Sequence, residues 1–359
     1  RDLMDWDSTS NEIISDMSYF DYYLSTSNSF SIKLEELLGP ARNPFVKLIP
    51  GDSDFQRCAD IARGAQDLII YLLEKIFTHA HKITNSRRFL FSGGVSMNSA
   101  SIDSLAQLSF VDEIIVPPCP GDAGCAIGAA FYCYIKSNYY SDLNISKPSL
   151  FPSRKEIRND ELITEQIISN EFYVLQRDED DAFLKAAKLI AEGEVIGTVL
   201  SSSETGPRAL GNRSLLCDGK NKEAVENLNN VIKNRSPFRP TAPAMRYEIA
   251  QKYYKLRPEI YECYKTMSAT CKCYEDNVSL EFPTTHVDGT ARIQIVENNS
   301  SIDKLLSNLE PMGIEILANS SLNVSGDPTC FDLIDGLMVC SRTKLRYLLT
   351  DIGLLKRKT

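Results

Sequence analysis

Between Ile61 and Phe77 the apolar positions recur at helical spacing: Ile61, Ala65, Leu68, Ile69, Leu72, Leu73, Ile76 and Phe77 share one face. Asp52, Ser53 and Asp54 precede them as cap formers, so a long amphipathic helix is expected to start there. Phe89-Leu90-Phe91 reads as a short buried strand that ends at Ser92-Gly93-Gly94. A helix from Met97 to Gln107 and a second strand from Glu113 to Val116 follow. Pro117, Pro118 and Pro120 break the chain before Gly121-Asp122-Ala123-Gly124, and a small-residue helix is expected to run to about Tyr139. From 140 to 177 Ser, Asn, Pro and charges dominate, with a short helix near Glu161 to Ile168. This stretch reads as a connection. A helix from Asp181 to Glu194 and a strand from Val195 to Leu200 open the next domain, and another apolar strand is expected at Ile314 to Leu317. Residues 1–50 read as irregular, punctuated by Pro40, Pro44 and Pro50. Alternation of helix and strand implies an α/β layer with functional loops at strand ends.

At 359 residues the chain exceeds what one core serves well, so two domains are expected. The only long apolar stretch, Leu68 to Phe77, is interrupted by Glu74 and Lys75, and no membrane span is expected. Ten cysteines are scattered without a C-x-x-C pair, and only Cys271 and Cys273 stand close, as C-x-C. That usage points to reduced thiols in a cytoplasmic protein. A net charge of −9 repels phosphate backbones, so a nucleic-acid partner is not expected. The first residue is Arg rather than Met, and the chain is expected to begin inside a longer product.

Against this acidic background, residues 207–246 carry eight basic and three acidic side chains, a reversal that suggests an anionic ligand. The densest signal is Glu204-Thr205-Gly206-Pro207-Arg208-Ala209-Leu210-Gly211-Asn212-Arg213-Ser214. Guanidinium forks match phosphate oxygens, and glycine lets the backbone come close to them. Lys233-Asn234-Arg235-Ser236-Pro237-Phe238-Arg239-Pro240 follows. Two further stretches are Thr285-His286-Val287-Asp288-Gly289-Thr290-Ala291-Arg292 and Asn319-Ser320-Ser321-Leu322-Asn323, the latter followed by Gly326-Asp327-Pro328. The last is expected to place hydroxyls and amides just behind the strand at Ile314 to Leu317. Taken singly, each is only a turn.

In this order the four motifs resemble the C-terminal domain of the O-carbamoyltransferases that decorate nodulation factors, cephalosporins and aminoglycosides. Lys233, Arg235, Ser321 and Asn323 also look like the polar tetrad of the YrdC/Sua5 fold. The resemblance covers essentially the whole chain. In the first half, Ser92-Gly93-Gly94-Val95-Ser96-Met97-Asn98 and the loop around Asp122 are similar to the nucleotide- and metal-binding loops of an actin/hexokinase-like (Kae1-like, ASKHA) domain. The implied architecture is a partial lobe of that type over residues 1–145, a linker over 146–177, and a YrdC/Sua5-like α/β domain over 178–359.

The resemblance implies that the second domain makes carbamoyl-adenylate from carbamoyl phosphate and ATP, and that the first passes the carbamoyl group to a hydroxyl of a small-molecule acceptor in natural-product biosynthesis. It implies Arg208, Arg213, Lys233 and Arg235 on phosphate oxygens, and Ser321, Asn323, Arg292, Arg239 and His286 on substrate or nucleotide. Gly93, Gly94 and Asn98 would approach a nucleotide in the first domain. Asp122 would be the carboxylate ligand of a divalent metal, Fe2+ by analogy. The family's H-x-x-x-H pair is missing. His79 and His81 are two apart on a helix and point away from each other, so the two histidine ligands are expected upstream of this chain. Ile102 stands where relatives often carry Asn. A homodimer is compatible with the resemblance. Rival readings are an RNA-binding module, a threonylcarbamoyl-adenylate-type enzyme, a maturation factor for metalloenzyme cyanide ligands, and a non-catalytic remnant.

Overall fold

The computed structural model describes residues 2–43, 46, 48–52, 54–137, 161–235, 239, 241–274 and 282–358. The chain divides into two compact units, one of Arg1–Phe89 with Asp103–Glu113, the other of Leu90–Ile102 with Ile114–Thr359.

In the first unit β1 (Met4–Asp7) and β2 (Glu12–Ser15) form an antiparallel hairpin, with Asp7 opposite Glu12. Helix α1 (Ile32–Leu38) precedes the long α2 (Phe55–Thr84), which opens after Asp54 as the cap pattern predicts. It closes at Asn85, whose left-handed backbone (φ 55°) cannot continue a helix. Of the predicted apolar face, Leu72, Leu73 and Phe77 are buried, whereas Ile69 and Ile76 are exposed. Phe77 packs on Phe89 with ring centroids 4.7 Å apart, and the Tyr71 hydroxyl donates to Asp5 at 3.0 Å. His81 stacks on Phe110 and bonds the Ser86 carbonyl, while His79 lies against Trp6, so both histidines serve packing. Ser53 and Pro44 lie outside the described residues.

Strand β3 (Arg88–Leu90) starts one residue early and is not the buried strand expected, since Leu90 is 73% exposed. The next elements, α3 (Ser99–Leu105), β4 (Glu113–Ile115) and α4 (Gly124–Lys136), fall where the pattern places them, each shorter. The expected end of α4 at Tyr139 and the first half of the expected connection lie outside the described residues. The second half of that connection is structured. Helix α5 (Glu161–Glu171) leads directly into β5 (Phe172–Gln176). Phe172-Tyr173-Val174-Leu175 is a genuine strand run, and it closes one edge of the main sheet by pairing with the C-terminal strand.

The chain then forms α6 (Glu179–Ala191), β6 (Ile196–Val199), β7 (Ser214–Asp218), α7 (Lys222–Glu226), β8 (Ala242–Met245) and α8 (Tyr247–Tyr253). After these come β9 (Tyr254–Lys255), α9 (Tyr261–Lys265), β10 (Cys271–Cys273), β11 (Thr290–Ala291) and β12 (Gln294–Ile295). The last elements are α10 (Ser301–Leu309), β13 (Leu317–Ser321), α11 (Leu333–Arg342), β14 (Tyr347–Thr350) and β15 (Gly353–Arg357). Eight strands make one mixed sheet in the order β12-β8-β13-β7-β6-β14-β15-β5, parallel only at β12–β8 and β6–β14. The fold is α/β, as expected. Cys271 and Cys273 belong to a separate three-stranded sheet, β11-β10-β9, and all ten cysteines are free.

Both faces of the main sheet are buried, which explains why its strands read as continuous apolar runs. Leu216, Leu317, Tyr347 and Leu349 pack with Phe183, Ile190, Leu305 and Leu309 of α6 and α10. Leu215, Cys217, Ala318 and Leu348 point the other way, onto Val225, Leu337 and Cys340 of α7 and α11.

The polar motif expected behind a strand at Ile314 to Leu317 lies within the strand itself. β13 begins at Leu317 and runs through Asn319, Ser320 and Ser321, because β7 and β8 pair with it on both sides and satisfy its backbone. The loop from β6 to β7 needs its glycines. Gly211 has φ 126°, and a Cβ there would sit 2.5 Å from Ile302 Cγ1. Gly211→Val is therefore expected to cost about 3 kcal/mol or more from strain and overlap together, read as a lower urea midpoint.

Candidate anion-binding site

The site is built at the polar ends of β13 and β8 in the second unit. The loop Gly206–Ser214 is folded by Glu204, whose Oε1 accepts the backbone N–H groups of Leu210, Asn212 and Arg213 at 2.7, 2.8 and 3.1 Å. At Gly206 (φ 106°) a side chain would collide with the Pro118 carbonyl, 1.9 Å from an added Cβ. The loop thus carries Arg208 on a backbone that only glycine permits.

A second segment delivers Lys233 and Arg235. The chain from Asn227 to Ile232 is a π-helical turn, a rare and widened geometry that brings Lys233 N–H to Leu228 O rather than to the residue four back. Asn234 takes a left-handed backbone (φ 48°) between the two cations. Arg235 is held through Asn229, whose Oδ1 accepts from its guanidinium at 2.8 Å. Ser236, Pro237, Phe238 and Pro240 of this motif lie outside the described residues. A third segment turns at His286, whose N–H donates to Thr290 O at 2.7 Å, and so presents Arg292.

These segments meet around a cavity of about 400 Å³. Its lining includes Arg208, Arg235, Arg239, Arg292, His286 and Ser321, and among the described residues it includes no carboxylate. Like charges are held together without neutralisation. Burial, then Arg208 and Arg235, pull the Arg292 pKa down to about 9. Burial and Arg239 pull Arg235 down to about 10, and burial lowers Arg208. His286 is lowered by burial too, and its Nδ1 sits 3.0 Å from Thr290 Oγ1, which fixes the ring in its turn. Arg292 has no hydrogen-bond or ion-pair partner among the described residues. An anion placed among these groups would relieve their mutual repulsion.

Lys233 and Asn323 stand beside the cavity. The Lys233 ammonium, 5% exposed, donates to Ser321 O at 2.9 Å and to Asn323 O at 3.1 Å, and also reaches Asn323 Oδ1. Ser321 Oγ in turn bonds Asn323 Oδ1 at 2.7 Å. The expected tetrad therefore converges: Lys233, Ser321 and Asn323 are one network, with Arg235 on the cavity wall.

Arg213 does not join it. Fully buried, it donates to four main-chain carbonyls, those of Leu200, Ser201, Asn212 and Phe331, at 2.8 to 3.1 Å. Four of its five N–H groups are engaged by main-chain carbonyls, so it ties the polypeptide together and does not line the cavity. Gly93, Gly94, Asn98 and Asp122 do not line this cavity. Asn98 Oδ1 accepts from Ser101 N, and Gly93 (φ 98°) sends its N–H to Pro120 O. Asp122 is exposed, and among the described residues no cluster of three His, Cys, Asp or Glu could hold a metal. The pattern reading missed Thr241, and it quoted Asn319 and Glu204 within motifs without giving either a role; Thr241 and Asn319 are both buried on the cavity wall.

Comparison with known proteins decides the lineage. The model of the carbamoyltransferase C-terminus matches residues 187–357, and that of the carbamoyltransferase N-terminus matches 17–131. The chain belongs to the carbamoyltransferase family. Nodulation protein NolO of Bradyrhizobium diazoefficiens is 30% identical to this carbamoyltransferase-family chain over 94% of its length and 62% of the relative's. The 3'-hydroxymethylcephem-O-carbamoyltransferase of Streptomyces clavuligerus is 32% identical over 66% of this chain and 42% of the relative. The chain thus spans about half the length of the curated relatives it matches. Among solved structures, Sua5 of P. abyssi complexed with L-threonine aligns at 18% identity with a TM-score of 0.36, over 50% of this chain and 48% of that one. So low a score carries no weight for the site. Among the described residues, no helix of this family member is long and apolar enough to cross a membrane.

Proposed function

We propose that the second unit of this carbamoyltransferase-family chain binds carbamoyl phosphate and ATP. One water cleaves carbamoyl phosphate to carbamate and phosphate, and the carbamate oxygen attacks the α-phosphorus of ATP, forming carbamoyl-adenylate as the α–β bond breaks and pyrophosphate leaves. The carbamoyl group then goes to a hydroxyl of a small molecule in natural-product biosynthesis, with AMP as the leaving group. The supporting observation is the cavity walled by Arg208, Arg235, Arg239 and Arg292 with no carboxylate to neutralise them. Carbamoyl phosphate, ATP, pyrophosphate and phosphate are all polyanions. The chemistry asks for preorganised positive charge on phosphoryl oxygens more than for a proton shuttle. Arg208, Arg235 and Arg292 hold phosphate oxygens in this reading. Lys233 neutralises charge at the Ser321–Asn323 edge, and the buried walls keep water from a labile carbamate.

The test is pyrophosphate release from ATP by the purified chain. Release is expected only when carbamoyl phosphate is also supplied. Release that ignores carbamoyl phosphate, or none with both present, would remove the assignment.

Lys233 adds a pH signature. Burial, then Arg235, holds its pKa down to about 8, so the folded protein loses this proton earlier than the unfolded chain does. Between about pH 8 and the ordinary lysine value the unfolded state binds more protons, and stability from this group rises with pH. Anion affinity moves oppositely, because the charge that attracts phosphate is lost. ATP affinity, titrated at constant ionic strength, is expected to hold to about pH 7.5 and to fall about tenfold or more by about pH 9.5, Lys233 losing its proton first and Arg292 after it. A flat profile would show that Lys233 does not serve the anion.

A further inference from the structure

Asn319 is 2% exposed, lines the cavity, and has an Oδ1 without any hydrogen-bond partner. Its amide orientation is not free. Nδ2 donates to Ala209 O at 3.1 Å and to Gln294 Oε1 at 2.7 Å, and Gln294 in turn sends its Nε2 to Leu210 O at 2.9 Å. Because both partners of Nδ2 are acceptors, a flipped amide would set oxygen against oxygen. The relay through Gln294 therefore locks Oδ1 as the atom left over. Thr241 is a second case: 3% exposed, lining the same cavity, its Oγ1 unpartnered. It precedes Ala242, which pairs with Asn319 in the sheet.

A buried, unpaired amide oxygen costs about 1–3 kcal/mol and is retained where a ligand supplies the missing donor. Phosphate oxygens cannot supply it: fully ionised, they only accept. All the guanidinium groups on the wall are donors, so Asn319 Oδ1 stands out as an acceptor among them. The ligand that satisfies both demands carries anionic oxygens and an N–H group a short distance apart. A carbamoyl phosphate fits, since its NH2 is joined to the phosphate through one carbonyl carbon and one ester oxygen.

We propose that Asn319 Oδ1 accepts a hydrogen bond from the carbamoyl NH2 and so selects carbamoyl over other acyl phosphates. Thr241, whose hydroxyl can donate, faces the same group and serves its carbonyl oxygen. This rests on the anion-site reading above but goes further, in assigning which residue reads the non-phosphate end. Acetyl phosphate is the discriminating probe. It keeps the carbonyl and the phosphate and puts a methyl of similar size where the NH2 stands.

Titration calorimetry on the whole chain with carbamoyl phosphate, acetyl phosphate and inorganic pyrophosphate tests the assignment. The wild-type protein is expected to favour carbamoyl phosphate over acetyl phosphate by about 10- to 100-fold, because acetyl phosphate leaves Oδ1 unpaired. In Asn319→Ala that ratio is expected to fall to about one, the acceptor being gone for both ligands. A general loss of site geometry weakens both ligands alike and leaves the ratio where it was. Pyrophosphate binding with a wild-type ratio near one would overturn the Asn319 assignment alone, and needs no variant to fold. A preference that survives in Asn319→Ala would overturn it as well. Failure of carbamoyl phosphate and pyrophosphate alike to bind would overturn the anion site and this inference with it.

Discussion

Replacing Arg213 with leucine is expected to destabilise the second unit by about 3–5 kcal/mol, the cost of stranding several buried carbonyls. In the fold its guanidinium gathers the carbonyls of Leu200, Ser201, Asn212 and Phe331, joining the loop after β6, the start of β7 and the approach to α11. Lysine cannot substitute, because a single ammonium on a flexible stem does not span four acceptors that a rigid fork reaches. Arg213→Lys should recover only part of the stability. The measurement is the urea or thermal midpoint of both variants, followed by ATP titration of whatever remains folded. Were Arg213→Leu to keep its midpoint and lose only ATP affinity, Arg213 would be a phosphate ligand after all.

Arg292 should behave in the opposite way. It lies in the cavity wall near Arg208 and Arg235, with no partner among the described residues, and repulsion and burial both work against its charge. Removing it relieves the free protein. Arg292→Met, which keeps most of the aliphatic volume, is expected to leave stability equal or slightly higher. Its carbamoyl-phosphate-dependent pyrophosphate release should fall by about 10²- to 10³-fold, the usual size of losing one preorganised charge-stabilising donor. Activity within a few fold of wild type would show that the anion sits elsewhere. The pair of variants makes a double dissociation, one arginine costing stability and the other costing chemistry, although the two residue types look alike in the motifs that carry them.

That contrast also shows how far the amino-acid order could be read. The apolar spacing from Ile61 to Phe77 and the caps before it foretold α2, since a helical period and its terminus are local properties. The α/β class followed from alternating elements. The Ser321, Asn323, Lys233 and Arg235 grouping came from motif resemblance, and the fold brings these residues to one place.

Other features needed three dimensions. Residues 161–176 look polar enough for a connection, yet β15 exposes an edge that β5 covers, and sheet edges are not marked in a one-dimensional pattern. Arg208 and Arg213 sit five positions apart in one loop. Nothing local says that one faces a cavity while the other is swallowed by carbonyls of its own loop and of the approach to α11. Glu204, Asn319 and Thr241 acquire their parts only from partners, or missing partners, brought near by the sheet. Side-chain type and spacing are properties of the chain, and they determined most of the elements. Which cation is paired and which stays open is a property of the packed structure, because hydrogen-bond satisfaction depends on neighbours that folding alone supplies.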